Sequence, residues 1–245
     1  MRLLAAAGRF AYFLADFARA MLRRPPPAGA VLEEAYRIGV RSLPVLLVIA
    51  VFVGTNLSLQ GANAFAPLGG QRLVGMFVAM AGVREMAPVI AAAMIAAKAG
   101  TEMASQIAVM RIREQIDALE VMAVNPLWHL VAPRLLGIVL VLPALTILAV
   151  FVTLLASLAV AVLQLGQSGA VFLAQARSAI TVADLVFCMG KGLAFGVIIA
   201  LVSCFFGFHA GRGPEGVGRA TNGAVVTVSV SVVFLNYLLS AVFYG

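Results

Sequence analysis

Five apolar stretches, each about 17 residues or longer, constrain the fold of this chain more than any other feature. They occupy residues 43–59, 73–97, 135–165, 185–208 and 225–243. An α-helix rises 1.5 Å per residue, so stretches of this length suit a hydrocarbon core about 30 Å thick. Of the 245 residues, 63% are hydrophobic and 11% are charged, whereas soluble domains carry about 25% charged residues. The sequence therefore predicts an all-α integral membrane protein with five transmembrane helices.

The amino-terminal segment, residues 2–22, predicts a helix of a different kind. Charged residues recur there at seven-residue steps, opposite an apolar face. The charged positions are Arg2, Arg9, Asp16 and Arg23, and the apolar ones are Leu3, Phe10, Leu14, Phe17 and Met21. This pattern is typical of an amphipathic elbow helix that lies in the headgroup plane. A signal peptide is the rival interpretation, suggested by Ala18–Ala20, but Arg9 and Asp16 interrupt the apolar core that a signal peptide needs. We expect the helix to be retained.

The distribution of Lys and Arg predicts the orientation of the chain, because basic residues are enriched on the cytoplasmic side of membrane proteins. Of 17 basic residues, thirteen fall on one side of the stretches, two on the other and two inside. The thirteen are Arg2, Arg9, Arg19, Arg23, Arg24, Arg37, Arg41, Lys98, Arg111, Arg113, Arg134, Arg212 and Arg219; the two opposite are Arg72 and Arg177. The amino terminus is therefore predicted in the cytoplasm. Five crossings place the carboxyl terminus outside, in the periplasm.

Residues 111–124 form the most charge-dense part of the chain and predict a short amphipathic cytoplasmic helix. An apolar stripe recurs at three- and four-residue steps, with charges on the other side. The stripe is Ile112, Ile116, Leu119 and Met122 or Ala123, and the charges are Arg113, Glu114, Asp117 and Glu120. Asn125-Pro126 ends the helix, since proline cannot continue the backbone hydrogen bonds. A helix of about 18 Å is too short to cross the bilayer. It is either a solvated connector or a helix held in the groove of a soluble partner.

Three charged residues lie inside the apolar stretches: Arg84 and Glu85 in the second, and Lys191 in the fourth. Arg84 and Glu85 lie near the middle of their stretch, where a charged side chain costs about 2.5 to 3.5 kcal/mol, so such residues are functional candidates. Arg84 and Glu85 either form an ion pair that only locks packing or line a polar spot in a lipid pathway. Lys191 either reaches the outer interface or meets Glu85 or a lipid phosphate. Gly82 and Pro88 predict an interrupted helix around them.

Three uncharged polar residues lie toward the outer ends of their stretches, namely Asn56, Gln60 and Asn236. In hydrocarbon, such side chains commonly hydrogen-bond from one helix to another. We expect all three to bridge helices. Asn56 and Asn236 are therefore placed with Arg84, Glu85 and Lys191 as candidate lipid-pathway residues.

The remaining features indicate what the chain does not do. Cys188 and Cys204 lie in one apolar stretch and predict neither a disulfide framework nor a metal site. His129 and His209 are isolated and are expected at interfaces or in packing. Gly213–Gly218 is followed by Arg-Ala where a P-loop needs Lys and then Ser or Thr, and no compact basic module for nucleic acid is present. The sequence thus predicts no enzyme, no cofactor or metal bound by this chain, and no nucleic-acid partner.

A series of motifs gives the chain a family resemblance. Glu114–Glu120 reads EQIDALE, and it is followed by Val121-Met122, Asn125-Pro126 and Leu130–Arg134, which reads LVAPR. Upstream, Arg84–Val89 reads REMAPV; downstream, Val217–Thr221 reads VGRAT. In order and spacing, this run resembles the MlaE permease family, the membrane subunits of MCE-associated lipid ABC transporters. The resemblance covers roughly residues 36 to 245. A match of this length is far more specific than a match to one short motif.

The resemblance implies a homodimeric permease in a bacterial inner membrane, with an elbow helix and five crossings per subunit. It implies a cytoplasmic ABC ATPase that binds ATP, a STAS-domain protein, and an MCE-domain protein outside, with phospholipids or other hydrophobic molecules as cargo. By the same resemblance, Arg84 and Glu85 belong to a central cavity at the dimer interface. The ATPase-coupling residues would be Arg113, Glu114, Ile116, Asp117, Leu119 and Glu120.

Three departures separate the chain from the family pattern. Ala96–Thr101 reads AAKAGT where AGRVGS is common, Gln106 stands where Glu is usual, and Asn236 stands where Asp is frequent. Two alternatives also stay open: an ion-coupled secondary carrier that uses Arg84, Glu85 and Lys191 as a relay, and a membrane scaffold for a soluble complex. Only the ATP-driven permease uses both the cytoplasmic helix and the intramembrane charges.

Overall fold

The computed structural model describes residues 2–23, 25–68, 70 and 73–244, and within these residues it contains eight helices and no strand. Arg24 and Arg72, which enter the charge count, lie outside the described residues. The helices are α1 Arg2–Arg23, α2 Ala28–Phe65, α3 Val74–Ile112, α4 Gln115–Val121, α5 Leu127–Leu163, α6 Gly169–Ala179, α7 Val182–Phe208 and α8 Gly213–Tyr244.

Five of these helices, α2, α3, α5, α7 and α8, are long and apolar enough to cross a membrane. This confirms the predicted fold class, with corrections at the helix ends. Helix α2 begins at Ala28, well before the predicted stretch 43–59, and includes Glu33 and Glu34 near its start. Helix α8 begins at Gly213, before the predicted stretch 225–243. The short helix α6, between the third and fourth spans, was not predicted.

The charge-dense segment, predicted in the cytoplasm, differs from the prediction of one helix over residues 111–124. Helix α3 ends at Ile112, and Glu114 then adopts a left-handed conformation with φ of 58°. Helix α4 covers only Gln115–Val121, and Ala123 is a second left-handed residue with φ of 58°. The predicted single helix is therefore wrong: the segment contains a separate helix of 7 residues, flanked by two residues in the left-handed conformation.

Helix α3 widens into π-helical turns at Gly82–Met86 and Ala96–Gly100. In the first, the Ala87 N–H bonds to the Gly82 carbonyl, five residues earlier. Pro88 has no N–H to offer the carbonyl of Arg84, four residues earlier. The predicted interruption is thus wrong, because the helix widens for one turn and continues. Such π turns occur frequently at functional sites.

The backbone contacts divide the chain into two compact units. Unit 1 comprises Met1–Arg41, Ile95–Val141 and Gly196–Val232, and unit 2 comprises Ser42–Met94, Leu142–Phe195 and Val233–Gly245. Each unit contains one end of each of the five long helices. Of the thirteen basic residues predicted in the cytoplasm, the twelve that the structure describes belong to unit 1.

In unit 1, the elbow helix α1 packs its aromatic face on α7. Phe13 and Phe17 are buried, and the Phe10 and Phe13 rings lie 5.2 and 5.6 Å from the Phe205 ring in edge-on contacts. Edge-on aromatic pairs of this kind add to the stabilisation that comes from burial. The helix is therefore held by protein contacts on the face that the sequence shows to be apolar.

In unit 2, close helix contacts depend on small residues. A Cβ atom built at Gly54 of α2 would lie 2.3 Å from the carbonyl oxygen of Thr153 on α5, and one at Gly75 of α3 would lie 2.5 Å from that of Phe172 on α6. Glycine at such positions lets helix backbones approach closely, as is common in membrane proteins. The Ser157 hydroxyl also donates to the Gly54 carbonyl at 2.7 Å.

We expect Gly54→Ala to destabilise the protein, although alanine favours helix by about 1 kcal/mol, because its methyl group must displace backbone. Overpacking of this kind costs about 1 to 3 kcal/mol. The matched control is Gly190→Ala in α7, where an added Cβ meets nothing within 4 Å. Thermal unfolding of the purified variants in detergent measures the difference. Equal melting temperatures for the two variants would contradict the close approach at Gly54.

Candidate functional site

Unit 2 holds a group of polar side chains within its apolar helices, which we name the intramembrane cluster. Its members come from three helices and surround two carboxylates. They are Arg84 and Glu85 on α3, Asp184 and Lys191 on α7, and Asn236, Ser240 and Tyr244 on α8.

The Glu85 carboxylate is the centre of the first half of the cluster. The Lys191 ammonium lies 3.2 Å from Oε1, the Ser240 hydroxyl donates to the same oxygen at 2.7 Å, and the Asn236 amide donates to Oε2 at 2.7 Å. Lys191 also donates to the Ser240 hydroxyl at 2.7 Å. Side chains from α7 and α8 thus hold this carboxylate in one position, as buried polar groups require.

The Asp184 carboxylate is the centre of the second half. Arg84 Nε lies 2.9 Å from Oδ1, and the Tyr244 hydroxyl donates to the same oxygen at 3.0 Å. The backbone N–H and the hydroxyl of Thr181 each donate to Oδ2 at 2.8 Å. The Arg84 guanidinium also lies 4.7 Å from the centre of the Tyr244 ring, within the range of a cation–π contact.

The backbone of α3 contributes directly to the cluster. Lys191 donates a third hydrogen bond, at 2.7 Å, to the carbonyl of Arg84. Pro88, four residues further along α3, has no N–H with which to compete for that carbonyl. The sequence REMAPV therefore supplies an arginine, a carboxylate and an accessible carbonyl close together, and the last two are both bonded to Lys191.

The geometry bears on the alternatives left open for the charged residues. Arg84 and Glu85 pair with Asp184 and Lys191 on α7 rather than with each other. Lys191 is fully buried, so it does not extend toward the outer interface and instead contacts Glu85. The side chains of Glu85 and Arg84 are 39% and 25% exposed, so these two can be reached from outside the protein.

Asn56 stands apart from the other predicted pathway residues. It is exposed and accepts a hydrogen bond from Gln60, four residues along α2. The expected bridge between helices is therefore wrong for this pair, whose bond runs along one helix. Asn236 does bridge helices, from α8 to Glu85 on α3.

Three cluster residues were not identified from the sequence: Asp184, Ser240 and Tyr244. Asp184 lies one residue before the predicted stretch 185–208, so hydropathy alone does not mark it as intramembrane. A signal did exist, because an acidic residue at the edge of an apolar run is unusual and needs a partner. Serine and tyrosine are common in membrane helices, and nothing in their spacing distinguishes these two.

An apolar cavity of about 610 Å³ lies next to the cluster within unit 2. Its volume is within the usual range of ligand sites, roughly 300 to 1,000 Å³. Residues of α7 and α8 line it, among them Lys191. Its apolar lining residues are Val182, Ala183, Val186, Phe187, Gly190, Leu239 and Phe243. The site therefore combines a polar end with an apolar wall.

The second candidate site is α4 in unit 1. Ile116 is 1% exposed and anchors the helix, and Leu119 is partly buried, whereas Met122 is 63% exposed. Asp117 on α4 forms an ion pair with Arg111 at the end of α3, at 2.5 Å. The remaining predicted coupling residues, Arg113, Glu114 and Glu120, are exposed. The helix presents one anchored face and one charged face.

Comparison with known proteins identifies similar chains. A family model for the permease MlaE matches residues 31–242. A probable ABC transporter permease protein of Rickettsia conorii is 31% identical over 237 residues, which cover 97% of this chain and 92% of the relative. Probable ABC transporter permease proteins of Pyropia yezoensis and Synechocystis sp. are each 34% identical, over 210 and 209 residues. Those alignments cover 86% and 85% of this chain and 80% of each relative.

We expect Lys191→Met to destabilise the protein, because it leaves the Glu85 carboxylate and the Arg84 carbonyl without their cation. Breaking a fully buried ion pair costs roughly 3 to 5 kcal/mol. The exposure of Glu85 reduces our expectation to about 1 to 3 kcal/mol.

The double variant Lys191→Met, Glu85→Gln tests the pairing by a double-mutant cycle. It is expected to recover part of the lost stability, as measured by thermal unfolding in detergent. Strictly additive effects of the two substitutions would contradict a direct interaction between these side chains.

Proposed function

Because this chain belongs to the MlaE permease family, we propose that it drives lipid between an inner membrane and the cell envelope at the expense of ATP. Family membership makes it a multi-pass membrane protein and the permease subunit of an ABC transporter. The lipid cargo, the partners and the orientation that follow are our inferences.

The observation that carries the lipid proposal is the intramembrane cluster beside an apolar cavity. Glu85 and Arg84 are partly exposed, so they can meet a polar headgroup. The cavity of about 610 Å³ has an almost wholly apolar lining and suits hydrocarbon tails. A molecule with a charged end and an apolar body, such as a phospholipid, matches both parts.

The charges of the cluster favour a headgroup that carries both signs. Arg84 and Lys191 balance Glu85 and Asp184, so the four ionic groups sum to zero. Arg84 can bind a phosphate in the bidentate manner of guanidinium groups, while Glu85 can accept from an ammonium group. Lys191 is buried and acts as a positioning residue that fixes the Glu85 carboxylate.

We propose that α4 couples this site to a separate ATPase. Its buried Ile116 fixes it to the permease, and its exposed acidic residues, Glu114, Asp117 and Glu120, face outward. A charged helix with a fixed base is suited to a groove in a soluble partner. ATP would be bound by that partner, since this chain carries no P-loop motif.

The remaining inferences concern assembly and location. The excess of basic residues in unit 1 supports a cytoplasmic location for that unit and for the amino terminus. The carboxyl terminus is then periplasmic. A homodimer, a periplasmic MCE-domain protein and a STAS-domain protein are inferred from the family resemblance.

An ion-coupled secondary carrier remains the second candidate, because buried contacts such as Lys191–Glu85 also occur in proton relays. The two functions differ in their energy source. If lipid transfer by the reconstituted complex requires ATP and persists without an ion gradient, the result supports the ATP-driven permease. Transfer that follows a proton or sodium gradient without ATP would support the carrier.

We expect Glu85→Gln to lower lipid transfer at least tenfold in reconstituted complexes while leaving assembly intact, because glutamine keeps the volume but removes the charge. Transfer of fluorescent phospholipid between vesicles measures the transport activity, and co-purification of the ATPase measures the assembly of the complex. The matched control is Glu215→Gln, which removes a carboxylate that is 81% exposed. Normal transfer by Glu85→Gln would make the cluster purely structural.

We expect Asp117→Arg to release the ATPase, because it reverses a charge on the exposed face of α4 and repels Arg111. Glu215→Arg is the matched control, since it reverses the charge of another exposed pair, with Arg219, in unit 1. Pull-down of the ATPase by each variant is the measurement, with circular dichroism to verify the helix content. Equal recovery of the ATPase by both variants would refute docking at α4.

A further inference from the structure

Unit 1 contains a second group of charges, which we name the inner cluster. It consists of Glu34, Arg37 and Arg41 on α2, Lys98, Glu102 and Gln106 on α3, and Arg134 on α5. None of these residues belongs to the proposed cargo site or to α4. The cluster therefore needs an explanation of its own.

Two carboxylates bind three guanidinium groups in the inner cluster. Glu34 lies 2.6 Å from Arg37 and 3.6 Å from Arg134. Glu102 lies 3.7 Å from Arg37 and 3.6 Å from Arg41. Each carboxylate is thus shared between two arginines, and most of these contacts are longer than a charge-assisted hydrogen bond of about 2.7 to 2.9 Å.

Lys98 adds a fourth cation, because its ammonium group donates to the backbone carbonyl of Arg41. Four cations and two carboxylates leave a net charge of +2. The Arg134 side chain is only 8% exposed and that of Arg37 is 28% exposed, so a positive charge without a counterion is costly at these two arginines. The imbalance points to an anion that does not come from the described residues.

Gln106 occupies a position where a third carboxylate would lower the net charge of the cluster from +2 to +1. Its Oε1 accepts from Arg134 at 3.1 Å and from Arg37 at 3.5 Å, while its Nε2 donates to Glu102 at 3.0 Å. A neutral amide here joins the arginines to Glu102 without neutralising them. The neutral side chain at this position therefore accounts for part of the excess positive charge.

Two guanidinium nitrogens in the cluster are buried without a hydrogen-bond partner among the described residues, namely Nη1 of Arg134 and Nε of Arg37. The Arg134 side chain is only 8% exposed. Buried donors that lack an acceptor are rare in folded proteins. Both unused donors belong to the same positively charged group.

The inner cluster is open on one side. The exposed fraction of the arginine side chains rises from 8% at Arg134 through 28% at Arg37 to 64% at Arg41. Gly137 allows the close approach at the base, since a Cβ there would lie 3.0 Å from the Ala35 backbone nitrogen and from Glu34 Cβ. A buried donor at the base and exposed arginines at the rim form a graded entry for an anion.

We propose that the inner cluster is a binding site for a phosphate group, held between Arg37 and Arg134 and separate from the transported lipid. Guanidinium groups are the preferred partners of phosphate because they donate in pairs. The phosphate is either that of an anionic membrane lipid at this end of α2, α3 and α5 or a free inorganic phosphate. The site does not depend on the proposed transport function.

The test uses the full chain purified in a neutral detergent, with its melting temperature followed during titration. Phosphatidylglycerol, phosphatidylcholine and inorganic phosphate are the three probes. At a hundredfold excess over the dissociation constant, a bound anion is expected to raise the melting temperature by roughly 5 to 10 °C. A shift with phosphatidylglycerol alone identifies a lipid headgroup, and an equal shift with inorganic phosphate identifies the free anion; both support the site.

Variants show which residues bind the anion. Gln106→Glu adds a carboxylate to the inner cluster and is expected to lose at least half of the shift in melting temperature. Arg37→Gln is expected to lose at least half of it as well. Arg219→Gln, which removes an exposed charge in unit 1, is expected to keep it. Arg84→Gln removes a charge from the cargo site and is also expected to keep it.

Three results would overturn the proposal. They are an equal shift with phosphatidylcholine in the Arg84→Gln variant, no shift with phosphatidylglycerol or inorganic phosphate, and a full shift in both Gln106→Glu and Arg37→Gln. Loss of the shift in Arg84→Gln alone would also overturn it, by assigning the bound lipid to the cargo site. Failure of lipid transport in any of these variants bears on the proposed function and not on this site.

Discussion

A polar group inside the hydrocarbon layer must find its partner in the protein, because no bulk water is available there. This constraint explains the structure around α3. Pro88 removes one helical hydrogen bond, and the carbonyl of Arg84, four residues earlier, accepts a hydrogen bond from Lys191 on another helix. The same lysine holds Glu85. A local defect in one helix thus fixes the position of the carboxylate on which the proposed function depends.

The two polar clusters satisfy this constraint in different ways. In the intramembrane cluster, two cations and two carboxylates balance, and hydroxyl and amide groups satisfy the carboxylate oxygens. In the inner cluster, cations exceed carboxylates, and two guanidinium nitrogens form no hydrogen bond among the described residues, although Arg37 Nε lies 3.7 Å from the Glu102 carboxylate. A balanced cluster is suited to cargo of either sign or both, whereas an unbalanced one is suited to a bound anion.

The sequence predicts the five spans well, because hydropathy integrates over 20 residues and tolerates errors at single positions. It also marks Arg84, Glu85 and Lys191, since a charge is conspicuous within an apolar stretch. It does not predict their partners: pairing with Asp184, Ser240 and Tyr244 depends on how α7 and α8 pack. The break at Arg113-Glu114 is equally hidden, because neither residue is the glycine or proline that usually marks a helix end.

The π turns of α3 have a further consequence for how the helix tolerates changes in length. A π turn closes its hydrogen bond over five residues instead of four, so it contains one residue more than an α turn. Side chains beyond it are therefore rotated by about 100° relative to those of an uninterrupted helix. Deleting a single residue between Gly82 and Met86 would restore a regular α-helix and rotate the side chains that follow it within unit 2. Inserted residues, and not helix geometry alone, therefore decide which side chains of α3 share a face.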